Sequence, residues 1–153
     1  MNTSRGFSLL ELLIVMAIIA LLGTAGVGYY RGFVKNVELQ TVSKALAGDL
    51  RHVRSKSMIG EDGVKWGAHV VNTSGGSQYY ELFSTPTNYA DGSKLVISTT
   101  TLSTGLIFSD PIAGATKDII FTKISGTTTA ATVVVVSEGN YATTTVSSIG
   151  AVY

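Results

Sequence analysis

Arg5-Gly6-Phe7-Ser8-Leu9-Leu10-Glu11-Leu12-Leu13-Ile14-Val15-Met16-Ala17-Ile18-Ile19-Ala20-Leu21-Leu22-Gly23 is the stretch whose reading decides the architecture. A short polar leader ends at Gly6, an aromatic ring follows, and one carboxylate, Glu11, stands in an otherwise apolar helix. As a helix, the segment from Phe7 to Tyr30 would run about 36 Å, enough for a hydrocarbon layer of about 30 Å. A secretory signal has a shorter apolar core with small residues after it at the cut. Here the small residue, Gly6, comes before the apolar run. Tyr29 and Tyr30, followed by Arg31, suit the headgroup boundary. Residues 1–6 therefore read as a leader peptide and residues 7–30 as the membrane-spanning half of a long helix.

A carboxylate in hydrocarbon costs about 2.5 to 3.5 kcal/mol or more unless it is paired or protonated, so Glu11 asks for a partner. Cleavage after Gly6 would supply one. Positions 7 and 11 share a helix face, and a new amine on Phe7, or on a neighbouring subunit, can meet the carboxylate there. The plainer reading is a glutamate near the end of an ordinary anchor that snorkels to the interface.

Gly6-Phe7-Ser8-Leu9-Leu10-Glu11-Leu12 resembles the processing motif of type IV pilins and type II secretion pseudopilins. The resemblance implies a prepilin peptidase that cuts between Gly6 and Phe7 and methylates the Phe7 nitrogen. It implies Glu11 as the assembly determinant, setting axial register between subunits. The partners it implies are other pilin or pseudopilin subunits in a helical filament, an inner-membrane assembly platform, and membrane lipid before assembly. The head would stand outside the cytoplasm on a single-pass anchor in a bacterial inner membrane, then in a periplasmic or extracellular filament. The bias of Arg31 and Lys35 over Arg5 opposes that orientation under the positive-inside rule, and the leader pattern is given the greater weight. Gly23, Gly26 and Gly28 each cost roughly 1 kcal/mol of helix propensity relative to Ala. They read either as a place where the helix extends in a filament or as small residues for close helix packing.

Residues 31–60 form the amphipathic half of the same helix. Leu39, Val42, Leu46, Leu50 and Val53 recur at spacings of three and four, one apolar stripe. Arg51, Arg54 and Lys56 lie on a basic flank, read as a solvated face or as a contact for a neighbouring subunit, lipid phosphate or DNA. Gly60 and Glu61-Asp62-Gly63 end the helix.

Residues 61–153 read as a β-rich head. Val64, Trp66, Ala68 and Val70 alternate with polar residues, a strand with one buried face, and Asn72 to Ser77 turn into a second strand at Gln78–Ser84. Further strands are expected at Lys94–Thr100, Leu106–Ser109, Asp118–Lys123, Thr132–Ser137 and Thr143–Ser148. The Val133–Val136 run suits a strand covered on both faces. The fold class is α+β, a long N-terminal helical spine packed on an antiparallel β-sheet or β-sandwich. Ile119-Ile120-Phe121 through Gly126, the valine run, Gly139-Asn140 and Ile149 to Tyr153 resemble the GspH/FimT class of minor pseudopilins.

Of 153 residues 45% are apolar, with 11 Lys plus Arg against 10 Asp plus Glu and no cysteine. That excludes a global field for nucleic acid, disulfides and thiol chemistry. No phosphate-binding loop, zinc-protease or serine-hydrolase motif occurs, so neither enzymatic activity nor a cofactor is expected, and catalytic and metal residues are none. His52 and His69 have no ligand partners at metal spacing. Glu81, Asp91, Asp110, Asp118 and Glu138 are scattered singly; Asp91 with Asp110 or Asp118 is the one arrangement for loop calcium, against plain solvated carboxylates. The function expected is a structural subunit, a minor pseudopilin of a type II secretion pseudopilus or type IV pilus. The alternatives are a non-polymerising membrane-anchored adhesin or sensor head and a DNA-uptake minor pilin that binds DNA through its head.

Overall fold

The computed structural model describes residues 7–153, with the side chains of residues 25–28 outside the description. The chain divides into two compact units, Met1–Lys35 and Asn36–Tyr153. Helix α1 spans Leu9–Ile59 and passes through Gly23, Gly26 and Gly28 without leaving helical geometry. In the first unit every described side chain from Phe7 to Thr24 is exposed. Leucine, alanine and methionine are strong helix formers, and the abundance of isoleucine and leucine on all sides leaves no polar face.

The second unit holds the rest of α1 and seven strands among the described residues: β1 (Lys65–Val71), β2 (Tyr79–Thr85), β3 (Leu95–Thr101), β4 (Ile107–Asp110), β5 (Thr116–Phe121), β6 (Ala131–Ser137) and β7 (Asn140–Val146). They form a four-stranded sheet in the order β3-β2-β1-β5 and a three-stranded sheet in the order β4-β6-β7. All the pairings are antiparallel. The helix stripe read from the sequence is the wall between them: Leu39, Leu46 and Leu50 are 0% exposed and Val53 is 1% exposed. With Trp66, Ala68, Val70 and Tyr80 from one sheet and Phe108, Val133, Val135 and Val146 from the other, these residues make one apolar cluster.

Small polar groups on the helix tie it to both sheets. Ser43 and Thr144 share a hydroxyl hydrogen bond of 3.1 Å, Ser57 Oγ donates to the Phe121 carbonyl at 2.8 Å, and Tyr80 Oη donates to Asp49 at 2.7 Å. Buried hydroxyls that find such partners fix lateral register at little net cost. Gly60, at φ 70°, ends α1 in the left-handed conformation and its N–H donates to the Ser57 carbonyl at 3.1 Å, a glycine C-cap. The Trp66 indole N–H reaches the Glu61 carbonyl at 3.2 Å just beyond it.

The elements fall where the sequence places them, with shifted ends and two corrections in burial. Strand β1 was expected to bury one face, yet from Trp66 to Val71 every residue is buried. It is an interior strand flanked by β2 and β5, and the loop after β2 returns across its outer side, where Tyr89 stacks on His69. The valine run was expected to be covered on both faces. Only Val133 and Val135 are buried, while Val134 and Val136 are half-buried, because the three-stranded sheet has the helix on one side and no layer on the other. Strand β7 starts at Asn140, directly after a two-residue turn of Glu138 and Gly139, both with positive φ (48° and 83°). Positive φ at both central residues is the hairpin turn whose twist matches the strands.

Gly67 sits at the tightest crossing of the sheet: a Cβ there would lie 2.5 Å from the Ile119 carbonyl oxygen and 3.2 Å from the Phe83 ring. Gly67→Ala should therefore lower the stability of the head by about 2 kcal/mol, read from thermal unfolding followed by Trp66 fluorescence. An unchanged midpoint would show that the two neighbouring strands give way without cost.

Candidate functional site

The N-terminal segment presents the residues singled out in the sequence without covering them. Phe7, 81% exposed, and Ser8 precede the first helical residue, Leu9, and Leu12 N–H donates to the Ser8 carbonyl at 3.2 Å. Glu11 lies in the first turn of α1, where the free N–H groups and the helix dipole favour a negative charge. Among the described residues no cation pairs with it. Gly6, the proposed cleavage residue, lies outside the described residues. The exposed apolar helix that follows is long and apolar enough to cross a membrane.

Arg51, Arg54 and Lys56 are engaged within the head. Arg51 Nη2 donates to the Val152 carbonyl at 3.1 Å; Arg54 Nη2 donates to the Ile149 carbonyl at 3.0 Å and its Nε to the Gly126 carbonyl at 3.4 Å. Lys56 pairs with Glu61 and holds its ammonium 4.4 Å from the Trp66 ring centroid, a cation–π contact. The guanidiniums thus strap the closing segment and the β5–β6 loop to the helix. Of the flank read from the sequence as a solvated face, Arg51 is exposed, whereas Arg54 and Lys56 are half-buried, Arg54 because the closing segment returns past it and Lys56 because Glu61 and Trp66 stand against it. Gly150 (φ 79°) makes the return possible, since a Cβ on it would lie 2.0 Å from the Gly126 carbonyl oxygen and 2.7 Å from Arg54 Nε.

A third cluster, missed by sequence reasoning, lies on the outer face of the four-stranded sheet. His69, 7% exposed, sets Nδ1 against the Asp118 carboxylate, and its ring stacks on Tyr89 at 3.5 Å between centroids and 6° between planes. Phe83 meets Tyr89 edge-on at 4.9 Å, Lys94 Nζ lies 3.9 Å from the Tyr89 centroid, and Tyr89 Oη donates to Glu81 at 2.5 Å. Sheet register, which sequence spacing does not show, brings this carboxylate to His69, on β1 opposite Asp118 on β5. The calcium arrangement is not assembled. Asp91 accepts from the Thr87 hydroxyl at 2.6 Å and the Ser93 N–H at 2.8 Å, Asp110 pairs with Lys117 and Asp118 with His69. Among the described residues no three such side chains converge as metal ligands.

A cleft of about 430 Å³ near the Asp110–Lys117 pair is lined also by Asp118, Thr132 and Thr145. Lys117 there is committed to Asp110 and to the Thr132 carbonyl. The cleft reads as a polar seam where β5 approaches β6 and β7.

Residues 1–27 match the family model described as the prokaryotic N-terminal methylation motif. The chain is 39% identical over 54 residues to a protein named Type II secretion system protein H from Xanthomonas campestris pv. campestris. The matched stretch covers 35% of this chain and 32% of that relative. No solved structure matches the chain. The N-terminal resemblance to pilins and pseudopilins and the likeness to protein H agree with the reading of the sequence.

Two phenols, Tyr80 buried and Tyr89 half-buried, make the head sensitive to alkali. Burial, then the hydrogen bond to Asp49, raises the Tyr80 hydroxyl above its ordinary pKa; burial, then the bond to Glu81, does the same for Tyr89. The folded state keeps these protons to higher pH than the unfolded chain. Their contribution is full below the unfolded value of about 10 and declines as pH rises above it. Thermal stability should fall from about pH 10 upward, and Tyr80→Phe should flatten that fall while losing the Asp49 bond at neutral pH. A pH profile identical in wild type and Tyr80→Phe would remove Tyr80 as a cause.

Proposed function

We propose that the chain is a structural subunit of the type IV pilin and pseudopilin kind, stored in the bacterial inner membrane as a precursor. It is cut between Gly6 and Phe7 by a prepilin peptidase, methylated on Phe7, and drawn by an assembly platform into a filament. The observation that carries this reading is the conjunction in one helix of an exposed apolar half that opens with the methylation motif and a second half that forms the core of a β-rich head. An anchor alone would require only the first. The minor pseudopilin subtype, in a type II secretion system, is supported by the likeness to protein H.

In this mechanism the apolar sleeve of α1 exchanges lipid for the sleeves of neighbouring subunits. Both surroundings are apolar, so the exchange itself has little hydrophobic driving force, and direction comes from packing and polar contacts. Glu11 is the polar contact. Its carboxylate meets the Phe7 amine of an adjacent subunit, and pairing of a charge otherwise isolated in hydrocarbon fixes the axial step between subunits. The head, whose closing segment is strapped by Arg51 and Arg54, stands outside the cytoplasm and carries the surface specific to this subunit.

Co-expression with a prepilin peptidase tests the reading: mass spectrometry of the mature chain should place its first residue at Phe7, with one added methyl group. An uncut N-terminus under those conditions would sink it. Glu11→Ala should leave membrane insertion and cleavage intact and reduce filament incorporation at least tenfold, measured by cross-linking into sheared filaments; incorporation at the wild-type level would defeat the proposed amine pairing.

A further inference from the structure

Strand β3 is the outer strand of its sheet, hydrogen-bonded to β2 alone. All seven of its residues are exposed, among them Leu95 at 61%, Val96 at 39% and Ile97 at 48%. The strand, Leu95-Val96-Ile97-Ser98-Thr99-Thr100-Thr101, contains no charge and no proline, the features that keep free edges from pairing. Register identifies the free backbone groups. Leu102 N–H donates to the Gln78 carbonyl at 2.8 Å, and Thr101, Thr100 and Thr99 follow opposite Tyr79, Tyr80 and Glu81. In an antiparallel ladder successive residues alternately face their partner and turn away. The N–H and C=O of Thr99 and Thr101 therefore point out of the sheet.

We propose that the outer edge of β3 is a β-augmentation site that takes an extended, uncharged segment of another protein, hydrogen-bonded to Thr99 and Thr101. The edge offers donor and acceptor pairs about 7 Å apart, a spacing that matches an extended main chain; a helix has no free backbone groups along its length. The strand itself carries no charge, the neighbouring Glu81 and Lys94 are turned to Tyr89, and β-branched side chains suit uncharged β-branched partners across the pair. A second copy of β3 fits less well. Antiparallel pairing of two such edges continues the sheet about a two-fold axis normal to it, and the helix, buried along the sheets from Leu39 to Val53, would then run in opposite senses in the two copies. Copies anchored in one membrane emerge in the same sense, an exclusion that rests on the proposed anchoring, whereas the site itself does not.

The full chain in detergent micelles, titrated into a blocked, fluorescein-labelled nonapeptide of alternating threonine and valine, tests this by fluorescence anisotropy against protein-free micelles. Saturable binding is expected, with the Thr99 and Thr101 amides gaining protection from hydrogen exchange in the complex. Thr99→Pro and Thr101→Pro remove an N–H that faces away from β2. Each should weaken binding at least tenfold with Trp66 emission unchanged, and a peptide with proline at its centre should not bind. Absence of saturable binding, affinity indifferent to both variants, or unprotected Thr99 and Thr101 amides in the wild-type complex would overturn the proposal. So would chain dimerisation that Thr99→Pro abolishes, since a second copy would then hold the edge. Peptide binding requires neither cleavage nor assembly, so a failure here is separable from a failure of the filament reading.

Discussion

The head depends on one interaction, the burial of the stripe Leu39, Leu46, Leu50 and Val53 of α1 against two sheets at once. The sheets are small, four strands and three, and the inner face of each carries the residues of the shared apolar cluster. Neither can form a closed sandwich with its own strands, so the helix supplies the second layer for both. Polar groups then set its position: Ser43 to Thr144, Asp49 to Tyr80, and Ser57 to Phe121. Three bonds from one helix to three different strands leave little freedom to slide or rotate.

The same helix begins with a different surface. From Phe7 to Thr24 the side chains are exposed and nearly all apolar, which in water would be an aggregation surface and in lipid is the ordinary state of a membrane segment. A helix is suited to both halves because its backbone hydrogen bonds are internal in either environment. Only the distribution of side chains changes, from apolar all round to apolar on one stripe. Glu11 is the charged exception among the described residues from Phe7 to Thr24, which is why the proposed role attaches to it.

The head's surface chemistry divides by what the chain itself consumes. Arg51, Arg54 and Lys56 look on paper like a basic patch for a ligand, yet each gives hydrogen bonds to the chain itself, Arg51 to Val152, Arg54 to Ile149 and Gly126, and Lys56 to Glu61 beside the Trp66 ring. His69, Tyr89 and Glu81 contact one another across the outer side of β1 and β2. The edge of β3 is the contrasting place, where backbone polar groups stand unpaired beside exposed aliphatic side chains.

Periodicity made the helix legible: an unbroken apolar run followed by a three-and-four spacing has one structural solution, and the ends at Gly60 and the strand positions followed from turn residues. The processing motif was likewise legible, because it is local and its parts are within reach along one helix. Local sequence could not tell that β1 is buried on both faces, that the valine run is open on one, or that His69 meets Asp118 across a separation of 49 residues. Nor could it tell that Arg54 would hold the carbonyl of Ile149, 95 residues away. Those outcomes depend on which strands become neighbours and where the closing segment returns. The sequence by itself determined the long helix, with its apolar first half and its striped second half, and the order of strands. Tertiary structure decided which charged groups bond within the head and that the outer strand β3 stands exposed, since pairing partners and burial arise from long-range register, which no local pattern encodes.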